Sequence, residues 1–299
     1  MTARLPDEQS GPAWARLLVV VAVAPEAEAV LRGLTAAGAC ASPSAPATAQ
    51  ATAQAATHAT AHASAGPAAP AAPDVRWPGG APDRVEHPSG VTVDVLAGGV
   101  GPAAAAAAAA TALTAARYDL VVSAGIAGGF APQAPVGATV IAEHIVAADL
   151  GAETPEGFAD VTELGFGTVR HTPAPAAVAL AAEALAAVAD PVLTGPVLTG
   201  PVLTVSTVTG SAGRAAELAA RHPRVAAEAM EGFGVAEAAA RHGVPVFELR
   251  TVSNPVGPRD RAAWRIGDAL AALERAFAAL PYPELLTSCR NASKEAGRG

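Results

Sequence analysis

Lysine is almost missing from this 299-residue chain: Lys294 is the single one, and the arginines are scattered. With a formal net charge of −8, the chain lacks the concentrated basic footprint that a phosphate backbone requires, which excludes nucleic acid as its main partner. Cysteine is nearly as scarce. Cys40 and Cys289 lie far apart, which argues against a disulfide framework and for a reducing, cytoplasmic setting. Apolar runs of membrane-spanning length are absent; Leu17 to Ala24 is only strand-sized, and the tract Ala103 to Ala110 is too short and too weakly hydrophobic to insert. Residues Met1 to Gly11 show no basic segment followed by an apolar core, so no secretory signal is expected.

What is present is a regular alternation. Leu17 to Val23 reads as a buried strand and Pro25 to Leu34 as a helix, with Glu26 and Glu28 in the first turn where the helix dipole favours acids. Strands are expected at Val91 to Ala97, Leu120 to Ser123, Val136 to Val146, Val202 to Val208 and Pro245 to Val252. Helices are expected after Gly101, around Ala174 to Ala187, over Met230 to Arg241 and over Arg261 to Leu280. This order predicts an α/β fold with a largely buried central sheet, whose ligands gather outside the strand ends. From Ala41 to about Asp74 the composition collapses to Ala, Thr, His, Pro and Ser, which cannot repay its ordering entropy. His58 and His62 inside it mimic a metal pair at i,i+4 but read as solvated residues of a low-complexity stretch. The repeated Pro-Val-Leu-Thr-Gly from Pro191 reads as a duplicated connector, because a Pro at each start opposes a central strand. From Glu284 onward the tail reads as polar and frayed.

Several short segments carry chemistry. The Gly98-Gly99-Val100-Gly101 turn follows a strand and opens a helix, so its amides suit an anion or a sugar oxygen. It misses both the dinucleotide fingerprint and the Walker pattern with its Lys, and glycine for turn geometry alone is the favoured explanation. Small residues in Ile126-Ala127-Gly128-Gly129 allow a flat ligand to approach the backbone, or allow close packing. In Ala229-Met230-Glu231-Gly232 a carboxylate beside a thioether suits a sugar, the acid accepting from hydroxyls and the sulfur packing on the ring. A capping Glu and a core Met are the alternative. Arg250, on an apolar strand, requires a carboxylate partner, and Glu231 is the candidate. Asn254, at the mouth of that strand, suits a purine edge that needs both a donor and an acceptor.

Taken in order, Pro25-Glu26-Ala27-Glu28, the Ala124 to Gly129 turn, Thr207-Val208-Thr209-Gly210-Ser211, Ala229-Met230-Glu231 and Arg250 to Asn254 resemble the nucleoside phosphorylase superfamily on its nucleosidase side. The pattern is similar to the 5′-methylthioadenosine/S-adenosylhomocysteine nucleosidases and, more closely, to the futalosine hydrolases. The resemblance runs from about Leu17 to Leu280. It implies one three-layer domain with a mixed central sheet over 15–282, interrupted at 41–74 and 190–201, with flexible ends at 1–14 and 284–299. It also implies neither metal nor cofactor, and a homo-oligomer. Carried over by position, Glu28 activates water, with Glu26 the competitor. Met230 and Glu231 hold the ribose, Arg250 and Ser253 support the pocket, and Asn254 faces the purine. Thr207 and Val208 line the base over a floor of Ile126, Ala127 and Gly128, and Trp264 covers the outer ligand or simply packs. Arg259 and Arg261 are candidates for a carboxylated 5′ tail.

The departures from the pattern carry information. Adenine-specific members have Asp where this chain has Asn254. A carboxylate would face the lone pairs of a 6-oxopurine, whereas an amide donates to the carbonyl oxygen and accepts from a protonated N7. Thr207 replaces an expected aromatic stacker, and Ala229 an expected second acid. The resulting expectation is an N-ribosidase that releases hypoxanthine from futalosine, in the alternative menaquinone route. A purine nucleoside phosphorylase, a methylthioadenosine/S-adenosylhomocysteine nucleosidase and a non-catalytic nucleoside-binding relative are the alternatives.

Overall fold

Leu17 to Val21 are wholly inaccessible to solvent, because they form the middle of a strand covered on both faces. The computed structural model describes residues 15–36, 80–188 and 195–296. The 41–74 insertion, Cys40, the histidine pair and residues 191–194 of the first proline-repeat unit lie outside the described residues. The elements in order are β1 (Ala15–Val21), α1 (Ala24–Ala36), β2 (Asp83–Glu86), β3 (Val91–Ala97), α2 (Pro102–Ala115), β4 (Leu120–Gly129) and β5 (Thr139–Ala147). Next come the small hairpin β6 (Gly151–Thr154) and β7 (Gly157–Asp160), then β8 (Arg170–His171), α3 (Pro175–Ala187), β9 (Val197–Thr204) and α4 (Ala212–Arg221). The chain continues through β10 (Ala227–Ala229), α5 (Gly232–Arg241), β11 (Val246–Pro255), a short 3-10 turn at Arg261–Ala263, α6 (Ile266–Ala279) and α7 (Tyr282–Ala296).

The sheet runs β10-β9-β5-β11-β4-β1-β3-β2, with β8 added to β5. It is mixed: β1 lies parallel to β3 and β4, and β11 parallel to β4, while β5 opposes β11. The first strand of this order also returns to the fifth, since β10 pairs antiparallel with β4 through Ala227–Gly129 and Glu228–Gly128. Strands β4, β11, β5, β9 and β10 therefore close into a ring, and β10 crosses the C-terminal end of β4 on the rim where β11 also ends. Helices α1, α3, α6 and α7 bury one face, with Phe247, Phe277, Leu273 and Leu285 at its centre; α2 and α5 bury another through Ala105, Ala109, Val235 and Ala239.

Two expectations need correction. The second and third units of the proline repeat are not a connector: Val197 to Thr204, Pro201 included, form β9, paired with β5 on one side and β10 on the other. Proline is tolerated inside this strand because the β5 register shifts between Ala142 and His144, a bulge that falls opposite Gly200 and Pro201. The same strand stops at Thr204, which leaves Ser206 to Val208 in the following loop. The tail from Glu284 is also not frayed, because α7 buries Leu285, Leu286 and Cys289 against the first layer.

Alanine-rich helices contribute little area each, so the layers must approach closely. Gly33 on α1 shows how closely: a Cβ there would stand 2.2 Å from the Glu274 carbonyl oxygen of α6. Helix propensity alone favours Gly33→Ala by about 1 kcal/mol. The clash is with backbone and should outweigh that gain, so we expect Gly33→Ala to lose about 1–3 kcal/mol in urea unfolding. A variant as stable as the parent would mean that α1 and α6 are not in this contact.

Candidate active site

Arg250 heads the largest fully buried side chains. It lies on β11, and strand alternation places Glu248 on the same face. Its Nε donates to Glu248 Oε1 at 2.9 Å, its Nη1 to Glu231 Oε2 at 3.3 Å and its Nη2 to Ser123 Oγ at 2.9 Å. Burial works against the guanidinium charge, but the carboxylates of Glu248, Glu231 and Glu26 outweigh it and hold the arginine pKa above its usual value. Burial in turn raises the pKa of Glu248, against the pull of Arg250. The expected Arg250–Glu231 pair is present. Its second partner, Glu248, escaped the sequence reading.

Glu231 stands at the start of α5 and is 5% exposed. Its Oε1 accepts from the Gly101 amide at 3.2 Å, which ties the glycine turn before α2 to the start of α5. Gly101 has φ of 94°, a conformation that glycine adopts without strain. Glu26, 4% exposed, lies across the rim. Its Oε2 accepts from the amides of Ala22 at 2.9 Å and Val23 at 3.2 Å, and its Oε1 from that of Ile126 at 2.9 Å. Burial raises its pKa most and Glu231 adds to the rise, while the Ile126 amide and Arg250 oppose it. Gly125 makes this approach possible, since a Cβ there would lie 2.5 Å from Glu26 Oε1 and 2.9 Å from Arg250 Nη1.

Asn254 is re-aimed by a β-bulge. The register of β11 on β4 shifts between Val252 and Asn254, so Ser253 is the extra residue. Ser253 Oγ lies 2.9 Å from Asn254 Oδ1 and 3.2 Å from the Ala127 carbonyl. Asn254 Nδ2 donates to the Pro255 carbonyl at 3.1 Å, and since that oxygen can only accept, the amide orientation is set.

A 220 Å³ cavity brings these groups together: Glu26, Ile126, Ala127, Gly128, Val208, Met230, Glu231, Ser253, Asn254 and Trp264 all line it. An adjoining 100 Å³ space shares Gly128, Val208, Glu228, Asn254 and Trp264, and adds Thr209 and Arg259, whose guanidinium lies 5.4 Å from the centre of the Trp264 ring. Two expected residues are placed elsewhere. Glu28 is exposed on α1; two residues on a helix are about 200° apart, so only one of Glu26 and Glu28 can face the rim. Thr207 is exposed in the loop after β9, and Arg250 supports the cavity from beneath without lining it.

Glu228 was missed. It is buried in the three-residue strand β10, accepts from both the amide and the hydroxyl of Thr209, and has a pKa raised by burial. The available signal was a lone acid in the otherwise apolar stretch Val225 to Met230. Among the described residues no group of three or more His, Cys, Asp or Glu could hold a metal ion.

The family model described as the phosphorylase superfamily matches residues 84–280. The futalosine hydrolase of Streptomyces coelicolor is 66% identical over 192 residues, which are 62% of this chain and 77% of that protein. The futalosine hydrolase of Acidothermus cellulolyticus is 43% identical over 201 residues, covering 65% and 80%. Among solved structures, the 5′-methylthioadenosine/S-adenosylhomocysteine nucleosidase of Neisseria meningitidis, in complex with methylthio-immucillin-A, aligns with TM-score 0.63 at 19% identity over 90% of this chain and 99% of that one. The native futalosine hydrolase of Helicobacter pylori aligns with TM-score 0.58 at 14% identity, over 93% and 98%. These structural likenesses show the fold.

Replacing Arg250 alone strands buried carboxylates. We expect Arg250→Met to cost about 3–5 kcal/mol in urea unfolding, and the double variant Arg250→Met, Glu248→Met to recover part of that loss. If Arg250→Met were neutral by itself, the guanidinium would not be holding this cluster.

Proposed function

The chain belongs to the phosphorylase superfamily and, within it, to the futalosine hydrolases, and on that premise we propose that it hydrolyses the N-glycosidic bond of futalosine and releases hypoxanthine. The observation that carries the reading is the shared lining of one cavity by Glu26, Glu231 and Asn254. A nucleoside laid across it meets an acid for water, an acid for the sugar and an amide for the base.

Glu26, rather than Glu28, takes the proton from the attacking water. Its raised pKa brings its proton affinity closer to that of a working base at neutral pH. Glu231 accepts from the ribose hydroxyls with lone pairs left over after Gly101, Met230 and Arg250 are served, and Met230 packs on the sugar. Asn254 stabilises the leaving base. With one N–H given to Pro255 and one lone pair taken by Ser253, the amide keeps one donor and one acceptor. That pair matches the carbonyl oxygen and protonated N7 of departing hypoxanthine. Bond breaking towards an oxocarbenium-like state then proceeds without covalent attachment to the protein.

Phosphorolysis is the second reading. The nucleoside cavity is lined by the carboxylates of Glu26, Glu228 and Glu231 and by no Arg or Lys, which supports water over phosphate as the nucleophile. We further read the enzyme as a cytoplasmic homo-oligomer serving menaquinone synthesis. The exposed side chains of Leu150, Leu164 and Phe166, the last 82% exposed, support a subunit contact on that side.

Hypoxanthine release from futalosine should proceed at the same rate with and without phosphate, followed by chromatography of the free base; strict phosphate dependence would overturn hydrolysis. Glu26→Gln should lower kcat by about 10²–10⁴-fold with ligand binding retained, whereas Glu28→Gln should leave turnover within twofold. Asn254→Asp should lose at least about 10²-fold in kcat/KM for futalosine relative to an adenine nucleoside. An unchanged ratio would remove Asn254 from base recognition.

A further inference from the structure

A second cavity, of 320 Å³, lies where β5, β8, β9 and the α4–β10 connection meet, and it shares no lining residue with the nucleoside cavity. Its charged and titratable lining is Arg170, Arg221, Arg224, His144, His222 and Glu143. Three guanidiniums against one carboxylate reverse, locally, the sign of a chain whose net charge is −8. The inference drawn from this cavity does not rest on the nucleosidase reading.

Each arginine is placed in a way that packing alone does not require. Arg224 is the only non-glycine residue with positive φ among the described residues, at 64°. That conformation costs a residue with a Cβ about 1–2 kcal/mol, and glycine would avoid the cost. Its guanidinium pairs with Glu143, whose other oxygen accepts from Thr199 Oγ1 at 2.7 Å, so the one acid of the lining is already engaged. Arg221 is fixed by a 2.9 Å bond to the Ala148 carbonyl, by the Phe158 ring 4.3 Å away and by Glu217 at 3.4 Å. Arg170 is exposed, and among the described residues its guanidinium has neither a hydrogen bond nor an ion pair. His222 Nε2 is buried without a hydrogen-bond partner. Burial and then Arg221 hold that ring down to about 4, so it is neutral at physiological pH and offers a hydrogen bond rather than a charge.

We propose that this cavity binds a small dianionic oxyanion of the phosphate or phosphomonoester class, held by Arg170, Arg221 and Arg224 with the His222 ring as a hydrogen-bond donor. A planar carboxylate is satisfied by one bidentate arginine, whereas a tetrahedral phosphate presents enough oxygens for three. The volume exceeds what a bare anion fills and lies at the lower end of the range for small-molecule sites, about 300–1,000 Å³.

Calorimetric titration of the full chain with inorganic phosphate and, separately, with ribose 5-phosphate, at ionic strength held constant with sodium chloride, tests this. We expect one-site binding to the parent protein, with the His222 ring resonances moving on saturation. Arg170→Ala and Arg224→Gly should each weaken that binding at least tenfold. Glycine takes φ of 64° without strain, so Arg224→Gly should not lower Tm, and the loss then reports the missing guanidinium rather than misfolding. Tighter binding of the ester would identify an esterified ligand, and equal affinities the free anion. No binding of either probe to the parent protein, or binding that both variants retain, would overturn the proposal.

Discussion

One buried positive charge organises the rim. Arg250 cannot be left unpaired in the interior, and the groups that satisfy it, Glu248, Glu231 and Ser123, come from β11, the start of α5 and β4. Glu26, on α1, lies within its field. A single guanidinium therefore fixes the relative position of elements distant in sequence, and two of its acids, Glu26 and Glu231, face the cavity. The acids left on that rim repel anions, while burial, with Glu231 adding and Arg250 opposing, raises the proton affinity of Glu26. One electrostatic arrangement thus serves both the stability of the site and the chemistry proposed for it.

The ring of strands does the rest of the positioning. Because β10 pairs with both β9 and β4, Glu228 and the Met230-Glu231 segment are brought against the Gly128-Gly129 end of β4. The bulge at Ser253 turns Asn254 into the same space. Glycine at 125 and 128 keeps that rim low: a Cβ at Gly128 would meet Val256 at 2.9 Å and Asn254 Nδ2 at 3.4 Å. Sheet closure, bulge and glycines together bring Met230, Glu231 and Asn254, the sugar and base grips proposed above, to one opening.

Much of this was legible in the residues. The α/β alternation and the Arg250–Glu231 pair followed from local pattern and charge burial, and the grouping of Met230, Glu231 and Asn254 from the order of the motifs and the family resemblance they carry. Other features depend on tertiary geometry that leaves little trace in sequence. The choice between Glu26 and Glu28 turns on helical phase, and Ala27 and Ala29 between and beside them give almost no amphipathic signal to set it. Pro201 lies inside a strand only because a bulge forms in a different strand, β5. Glu228 sits in a strand of three residues, too short to show a period. The tail was read from its polar composition, while the apolar pair Leu285-Leu286 that docks it was passed over.

The central claim is that burial and the neighbouring Glu231 set Glu26 as the base beside Arg250. The most direct measurement pairs the pH dependence of kcat/KM for futalosine with a carbon-13 titration of the Glu26 carboxyl in the free enzyme. The account predicts that activity rises with pH through a single acid limb lying above the ordinary glutamate range, at the same pH as the Glu26 titration. A Glu26 that titrates at or below its ordinary value, or an acid limb that does not coincide with it, would contradict the account.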